Sequence, residues 1–138
     1  MITRLTHTTL FVLDQDVALD FYVNKLGCAK SMDLTTPTGF RWLTVTPPKQ
    51  PDVNLSLMKV EAGDVMNERI SGLIREIMSD GGMGAGVFEC DDCRATHADL
   101  AAKGVKFRRE PADQFYGVDA SFEDPFGNYF TLLQPKKG

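Results

Sequence analysis

The chain has 138 residues, of which 43% are hydrophobic and 25% charged, a composition typical of one soluble globular domain. Its net charge of −4 leaves no basic stripe, which excludes nucleic acid and anionic membranes as main partners. No apolar run reaches the ~20 residues of a membrane span, and the N-terminus lacks the apolar core of a signal peptide. With three cysteines, an odd number, we expect reduced thiols and a cytoplasmic protein.

The first half of the chain predicts a strand, a helix and three further strands. Residues 3–13 alternate in polarity and are rich in β-branched side chains, as is typical of a strand. Asp14 or Asp16 then caps a helix with apolar residues at helical spacing, and Gly27 ends it. The three strands that follow are predicted at residues 29–34, 40–46 and 53–60.

A longer amphipathic helix is predicted over residues 64–80. Asp64 is its expected cap, and the pair Gly81 and Gly82 ends it. Its apolar residues recur at helical spacing, so we expect them to pack against the core or to cover a sheet edge or the mouth of a pocket.

The opening order of elements then returns. A strand over residues 85–90 precedes a cap at Asp91 or Asp92 and a helix over residues 93–103, which Gly104 ends before the next strand begins. The repeat predicts an α+β fold made of two βαβββ modules. We place module 1 at about residues 1–60 and module 2 at about residues 82–134 of a single domain, with the 64–80 helix between them.

The last two strands form a predicted hairpin. The alternating runs 118–123 and 128–133 flank Asp124-Pro-Phe-Gly127, in which proline fixes φ and glycine tolerates positive φ. One side of the pair is apolar, with Ala120 and Phe122 in the first strand. The other side mixes polar and aromatic residues, which suits either a ligand-facing surface or an ordinary half-solvated sheet.

Several of these motifs together resemble the vicinal oxygen chelate superfamily, which includes glyoxalase I, bleomycin-resistance proteins and extradiol dioxygenases. The residues that carry the resemblance are His7-Thr-Thr-Leu-Phe-Val12, Asp20-Phe-Tyr22, Leu26-Gly27, Asp91-Asp92, Lys103-Gly104-Val105, Glu110-Pro111, Tyr116-Gly117 and Phe122-Glu-Asp-Pro-Phe-Gly-Asn128. The resemblance runs from about residue 3 to about residue 134. It implies paired βαβββ modules that form a curved mixed sheet around a cavity, in a homodimer, but it implies no single chemistry.

Metal-dependent members of this superfamily bind a divalent ion with four side chains, two from each module. In this sequence those positions hold His7, Ser56, Ala85 or a neighbour, and Thr131. Alanine cannot coordinate, and hydroxyl groups are poor ligands compared with imidazole and carboxylate. We therefore expect no metal site, no cofactor and no metal-dependent glyoxalase I activity, and we interpret His7 as a neutral, hydrogen-bonded histidine or as a ligand-binding or proton-transfer group.

A second pattern, Cys90-x-x-Cys93-x-x-x-His97, has the spacing of a zinc site or a redox motif. Cys90 is expected to point inward from the end of a strand, whereas Cys93 begins a helix. We interpret the pair as a core cysteine followed by a helix-start cysteine that could be mildly reactive.

The sheet face away from the helices carries the candidate site. Aromatic walls with a few hydroxyls and carboxylates suit a flat or cationic organic molecule. Trp42 could instead pack at the module seam or at a subunit contact, and Asp119 could be a solvated edge charge. The ligand-binding residues that we predict are His7, Phe11, Trp42, Ser56, Met58, Asp119, Ser121, Tyr129 and Thr131.

These observations favour a protein that binds or sequesters a small aromatic or cationic molecule, as the antibiotic-resistance relatives do. The alternative is a metal-dependent lyase, isomerase or dioxygenase with a different ligand set around His7 and Glu89, the candidate catalytic residues. A third interpretation is an interaction or regulatory module whose cavity has lost its function.

Overall fold

The computed structural model describes residues 1–137 and confirms the predicted α+β class, with two four-stranded mixed sheets and three helices. The chain divides into two compact units, one comprising Met1–Arg75 and the other beginning at Glu76. Each unit contains one βαβββ module, as the sequence repeat predicts. No helix within residues 1–137 is long and apolar enough to cross a bilayer. The single-domain boundaries remain a prediction.

The first unit builds its sheet in the order β1-β4-β3-β2, with β1 parallel to β4 and the other neighbours antiparallel. Asp14 caps the helix by accepting hydrogen bonds from the Asp16 and Val17 amides, and Gly27 follows it with φ of 83°. The elements are β1 (His7–Val12), α1 (Gln15–Leu19) with its π-helical continuation (Asp20–Lys25), β2 (Ala29–Thr35), β3 (Arg41–Thr46) and β4 (Asn54–Lys59).

The second unit repeats this arrangement with the strand order β5-β8-β7-β6 and β5 parallel to β8. Asp92 caps its helix through the Ala95 amide. The elements are β5 (Met83–Glu89), α3 (Cys93–Ala102), β6 (Lys106–Gln114), β7 (Gly117–Glu123) and β8 (Asn128–Pro135).

Each sheet buries one face. In the first unit this face is formed by Leu10, Val12, Leu43, Val45, Leu55 and Leu57, and the π-helical segment buries Phe21 and Tyr22. In the second unit the predicted apolar side is confirmed, with Ala120, Phe122, Phe130 and Leu132 buried. Phe122 stacks on Phe130 with ring centroids 5.4 Å apart. The opposite face of each sheet is therefore the one on which polar side chains collect.

The predicted β7–β8 hairpin is confirmed. Asp124 Oδ1 accepts hydrogen bonds from the amides of Phe126 and Asn128, each at 2.9 Å, and Gly127 adopts φ of 92°. The buried carboxylate thus closes the turn from inside, because it provides an acceptor for amides that are themselves buried or partly buried.

Two predicted boundaries are wrong. The first strand begins at His7 rather than at residue 3, because its neighbour β4 begins only at Asn54, the residue that pairs with His7. The middle helix, α2 (Glu68–Ser79), begins four residues after the predicted cap Asp64. Asn67 is the residue that binds the first turn, accepting from the Ile70 amide at 2.9 Å.

Candidate functional site

The open face of the first sheet brings together the five predicted residues of this unit. Strand register pairs Phe11 with Met58, and His7 with Asn54. It also pairs Ser56 with Thr44, the residue two positions after Trp42 on the same face of β3. Ser56 and Thr44 are buried, whereas His7 is exposed and contacts the Thr6 hydroxyl at 2.9 Å through Nδ1.

The aromatic part of this face forms a groove. Trp42 and Phe40 meet edge to face, with ring centroids 5.0 Å apart and planes at 77°. The Trp42 side chain remains 43% exposed, unusual for the one tryptophan of the chain. The groove has a volume of about 390 Å³, and we name it the Trp42 groove; its lining is Thr36, Pro37, Thr38, Phe40, Trp42, Asp64 and Val65.

A closed turn holds Phe40 beside the indole. Thr36 donates its amide to the Phe40 carbonyl at 2.7 Å, and its hydroxyl accepts from the Phe40 amide at 3.2 Å. Gly39 supplies the left-handed φ of 92° that the turn requires. Local hydrogen bonds thus fix the aromatic wall before any ligand arrives.

A second groove of about 420 Å³ adjoins the first and shares Thr38, Phe40, Asp64 and Val65 with it. We name it the polar groove, since its other lining residues are Gln15, Thr35, Gly39, Arg41, Lys59, Glu61, Ala62 and Gly63. The Arg41 guanidinium donates to two carboxylates: Nε and Nη2 donate to Asp33 at 2.8 and 2.9 Å, and Nη1 donates to Asp16 at 2.8 Å. These hydrogen bonds hold the pKa of Asp33 below its usual range.

In the second unit the predicted residues also share one sheet face. Ser121 pairs with Thr131, which in turn pairs with Val87 of β5. Two residues further along β8, Leu133 pairs with Asp119 of β7 on one side and with Glu89 of β5 on the other. The two hydroxyls are therefore direct neighbours.

Asp119 is not a free carboxylate. It is buried, and it accepts hydrogen bonds from Arg109 Nη1 at 2.7 Å and from the Tyr116 hydroxyl at 2.5 Å. The hydrogen bond from Arg109, with that from Tyr116, lowers the pKa of Asp119, while acceptance by Asp119 raises the pKa of the Tyr116 phenol. Arg109 and Tyr116 are the partly exposed members of this cluster, with 44% of the Arg109 side chain and 41% of Tyr116 accessible to solvent.

Arg108, Arg109 and Tyr116 are the residues at this face that sequence reasoning missed. Arg108 binds Glu123 at 2.7 Å and lies over the Tyr129 ring, with its guanidinium carbon 4.4 Å from the centroid. Register shifts on both sides of Arg109 break the alternation of β6, so parity could not assign its face. The sequence signal that could have identified these residues is the pair of consecutive arginines in an edge strand, next to a strand that carries carboxylates.

The residues at the family's metal positions do not fit a metal ion. Within residues 1–137, no three His, Cys, Asp or Glu side chains are close enough to bind one. Ser56 and Thr131 offer only hydroxyls, and Ala85 lies at the register shift of β5. The side chains at these positions can still donate and accept hydrogen bonds through the His7 imidazole and the Ser56 and Thr131 hydroxyls.

The prediction about the two cysteines of the Cys90 pattern is wrong in detail. Cys93 is the fully buried thiol and donates to the Leu132 carbonyl at 3.7 Å, whereas Cys90 is partly exposed. Burial raises the pKa of Cys93 to about 11, whereas a reactive helix-start thiol needs a lowered pKa and access to solvent. His97 packs edge to face on Phe107 at 4.4 Å.

Comparison with known proteins identifies the group to which this architecture belongs. The family model for the Glyoxalase/Bleomycin resistance protein/Dioxygenase superfamily matches residues 4–132. An uncharacterized protein from Shewanella frigidimarina (strain NCIMB 400) is 34% identical over 138 residues, 94% of this chain and 92% of that protein.

Two solved structures are also similar to the chain. The crystal structure of UcmS2 has a TM-score of 0.90 with 39% sequence identity, and the match covers 97% of this chain and 99% of the UcmS2 chain. TnmS3, an antibiotic binding protein from Streptomyces sp. CB03234, has a TM-score of 0.75 with 30% identity, and 98% of each chain is covered. The chain belongs to the glyoxalase/bleomycin resistance protein/dioxygenase superfamily.

Proposed function

We propose that this protein binds and sequesters a small aromatic or cationic molecule, with Phe40 and Trp42 as the recognition wall. The observation that carries the proposal is the half-exposed indole of Trp42, held edge to face against Phe40 in an open groove. Stacking on such rings adds about 0.5–1.5 kcal/mol beyond the buried area. A cation over the indole adds a similar amount, about 0.5–2 kcal/mol.

The dimensions of the groove support the same proposal. Its volume of about 390 Å³ lies within the range of about 300–1,000 Å³ that is common for small-molecule sites. Most of its wall is apolar, and the turn that closes it is fixed by its own hydrogen bonds. A preformed wall lowers the entropic cost of binding, which favours tight capture without any chemical step.

The similarity to TnmS3, described as an antibiotic binding protein, supports assigning a binding rather than a catalytic role. The metal-dependent alternative around His7 and Glu89 gains no support, because within residues 1–137 neither side chain belongs to a group of three His, Cys, Asp or Glu residues that could bind a metal ion. The other predicted ligand-binding residues stay part of the proposal, and they are His7, Phe11, Ser56, Met58, Asp119, Ser121, Tyr129 and Thr131.

Two further properties belong to this proposal. We propose a cytoplasmic protein, a location that three free thiols suit. We also propose a homodimer, supported by the exposed apolar side chains Met32 and Leu34 on the fully exposed edge strand β2. Sedimentation equilibrium gives the oligomeric state directly: a mass of one chain at micromolar concentration contradicts the dimer.

Isothermal titration calorimetry with an aminoalkyl anthraquinone tests the binding role. Trp42→Ala is expected to weaken binding about tenfold or more, because it removes the stacking surface. Phe115→Ala is the matched control, since Phe115 is a highly exposed aromatic that lines neither groove. Equal affinities of the wild type and the Trp42→Ala variant would contradict the proposal.

A further inference from the structure

Asp64 lies where the two grooves of the first unit meet. It lines both the Trp42 groove and the polar groove, together with Thr38, Phe40 and Val65. Asp64 is the only charged residue among these four shared positions. A ligand that extends from one groove into the other must therefore pass beside it.

Asp64 differs from the acids around the polar groove in having no partner. Asp16 and Asp33 bind Arg41, and Glu61 pairs with Lys59 at 3.3 Å. Within residues 1–137 no side chain or amide makes a hydrogen bond or ion pair with Asp64. It lies in the exposed bend that precedes α2, a bend held by the hydrogen bond from the Gly63 amide to the Met66 carbonyl at 2.9 Å.

We propose that Asp64 is the charge-recognition residue of the binding site and that it takes an ammonium group of the ligand. This inference rests on the proposed function, since the aromatic body of the same ligand stacks on Trp42. The ligand class is then a planar aromatic amine with a polar branch, rather than a neutral or an acidic aromatic compound.

The polar groove suits a branch that carries hydrogen-bond donors. Arg41 is a poor site for a ligand anion, because the carboxylates of Asp16 and Asp33 already flank its guanidinium and outnumber its single positive charge. Gln15 donates its amide nitrogen to the carbonyls of Arg41 and Leu57, at 3.1 and 2.9 Å, which leaves its side-chain oxygen as an acceptor. Hydroxyl or amino groups of a branch find acceptors there.

Asp119, the acid among the predicted ligand-binding residues, is less suited than Asp64 to bind a ligand ammonium. Its carboxylate is buried and engaged by Arg109 and Tyr116. A ligand ammonium at Asp119 would have to displace an arginine from a 2.7 Å hydrogen bond. The unpartnered carboxylate at the groove junction meets no such competitor.

The test uses an anthraquinone with a terminal aminoethyl side chain and the same compound acetylated on that amine. The two probes share the planar body and differ in charge. Asp64→Asn is expected to weaken the amine about fivefold, the size of one exposed ion pair, and to leave the acetylated probe within twofold. Asp20→Asn is the matched control, since Asp20 is an exposed acid of the same unit that lines neither groove.

The calorimetric titrations test the assignment of Asp64 separately from the proposed function. The assignment is supported if Asp64→Asn weakens binding of the amine but not of the acetylated probe, and if Asp20→Asn weakens neither. Raised salt should also weaken binding of the amine by the wild type, because it screens the ion pair. Unchanged amine binding in Asp64→Asn, or equal loss for both probes, overturns it. If Trp42→Ala still weakens both probes in that case, the proposed function stands without Asp64. Failure of both probes to bind the wild type overturns the two proposals together.

Discussion

Arg109 Nη1 donates to Asp119 Oδ1 at 2.7 Å, and the carboxylate is buried while the guanidinium is half exposed. Tyr116 completes the arrangement through its hydroxyl at 2.5 Å. Because Tyr116 lies in the turn between β6 and β7 and Arg109 lies within β6, the carboxylate of β7 ties both to the sheet. The buried carboxylate of Asp119 therefore has a structural role.

Asp119→Asn is expected to lower the free energy of unfolding by about 1–3 kcal/mol. The substitution removes a charged acceptor from two hydrogen bonds in a buried position. Urea denaturation followed by circular dichroism measures the change. Asp113→Asn is the control, because Asp113 is highly exposed and its contact with Arg94 is 3.5 Å long; a loss as large as that of Asp119→Asn would contradict this assignment.

The stability that Asp119 contributes is expected to depend on pH in the acid range. Hydrogen bonds from Arg109 and Tyr116 lower the pKa of Asp119 in the folded state. The contribution is thus fully present above the unfolded-state pKa of about 4 and is lost as the pH falls through the lower folded-state value. The difference in unfolding free energy between wild type and Asp119→Asn should shrink below about pH 4. A difference that grows on acidification would contradict the sign.

Gly127 is expected to tolerate no side chain. A Cβ there would overlap the Met78 carbonyl oxygen, and φ is 92°. Gly39 has the same φ but no atom within 4 Å of the added carbon. Gly39→Ala should cost about 1 kcal/mol from the backbone alone, and Gly127→Ala clearly more, as measured by thermal unfolding. Equal costs would show that the close approach to Met78 is not limiting.

Thiol labelling should separate the three cysteines. Burial raises the pKa values of Cys28 and Cys93 to about 11 and makes both thiols inaccessible. Cys90 is partly exposed, although burial raises its pKa as well. We expect one thiol per chain to react with an aromatic disulfide reagent in the native protein, and Cys90→Ser to remove it. Rapid labelling of two thiols per chain would contradict the burial of Cys28 and Cys93.

The repeated fold was predictable because its signals are local. Aspartates before helices and glycines after them mark the helix ends, and Asp14, Asp92, Gly27 and Gly104 all occupy the expected places. Strand alternation likewise predicted that Ala120, Phe122, Phe130 and Leu132 are buried, although it did not predict the burial of Asp119. These features depend on backbone chemistry within a few residues.

The candidate site was less predictable because it depends on contacts between distant segments. An acid before an amphipathic run resembles a helix cap, and only the bend at residues 62–65 frees Asp64 for the groove junction. The partners of Asp119 depend on irregular register in β6, which the alternation of polar and apolar residues does not reveal. Trp42 was correctly assigned to the face opposite Leu43 and Val45, because parity alone decides that point.

The intrinsic fluorescence of the single tryptophan tests the central claim most directly. If Trp42 is the wall of the binding groove, the aminoethyl anthraquinone should quench its emission along a saturable curve with one ligand per chain. Phe115→Ala should leave that curve unchanged. Linear, unsaturable quenching, equal to that of a free tryptophan amide in the same titration, would contradict a binding site at Trp42.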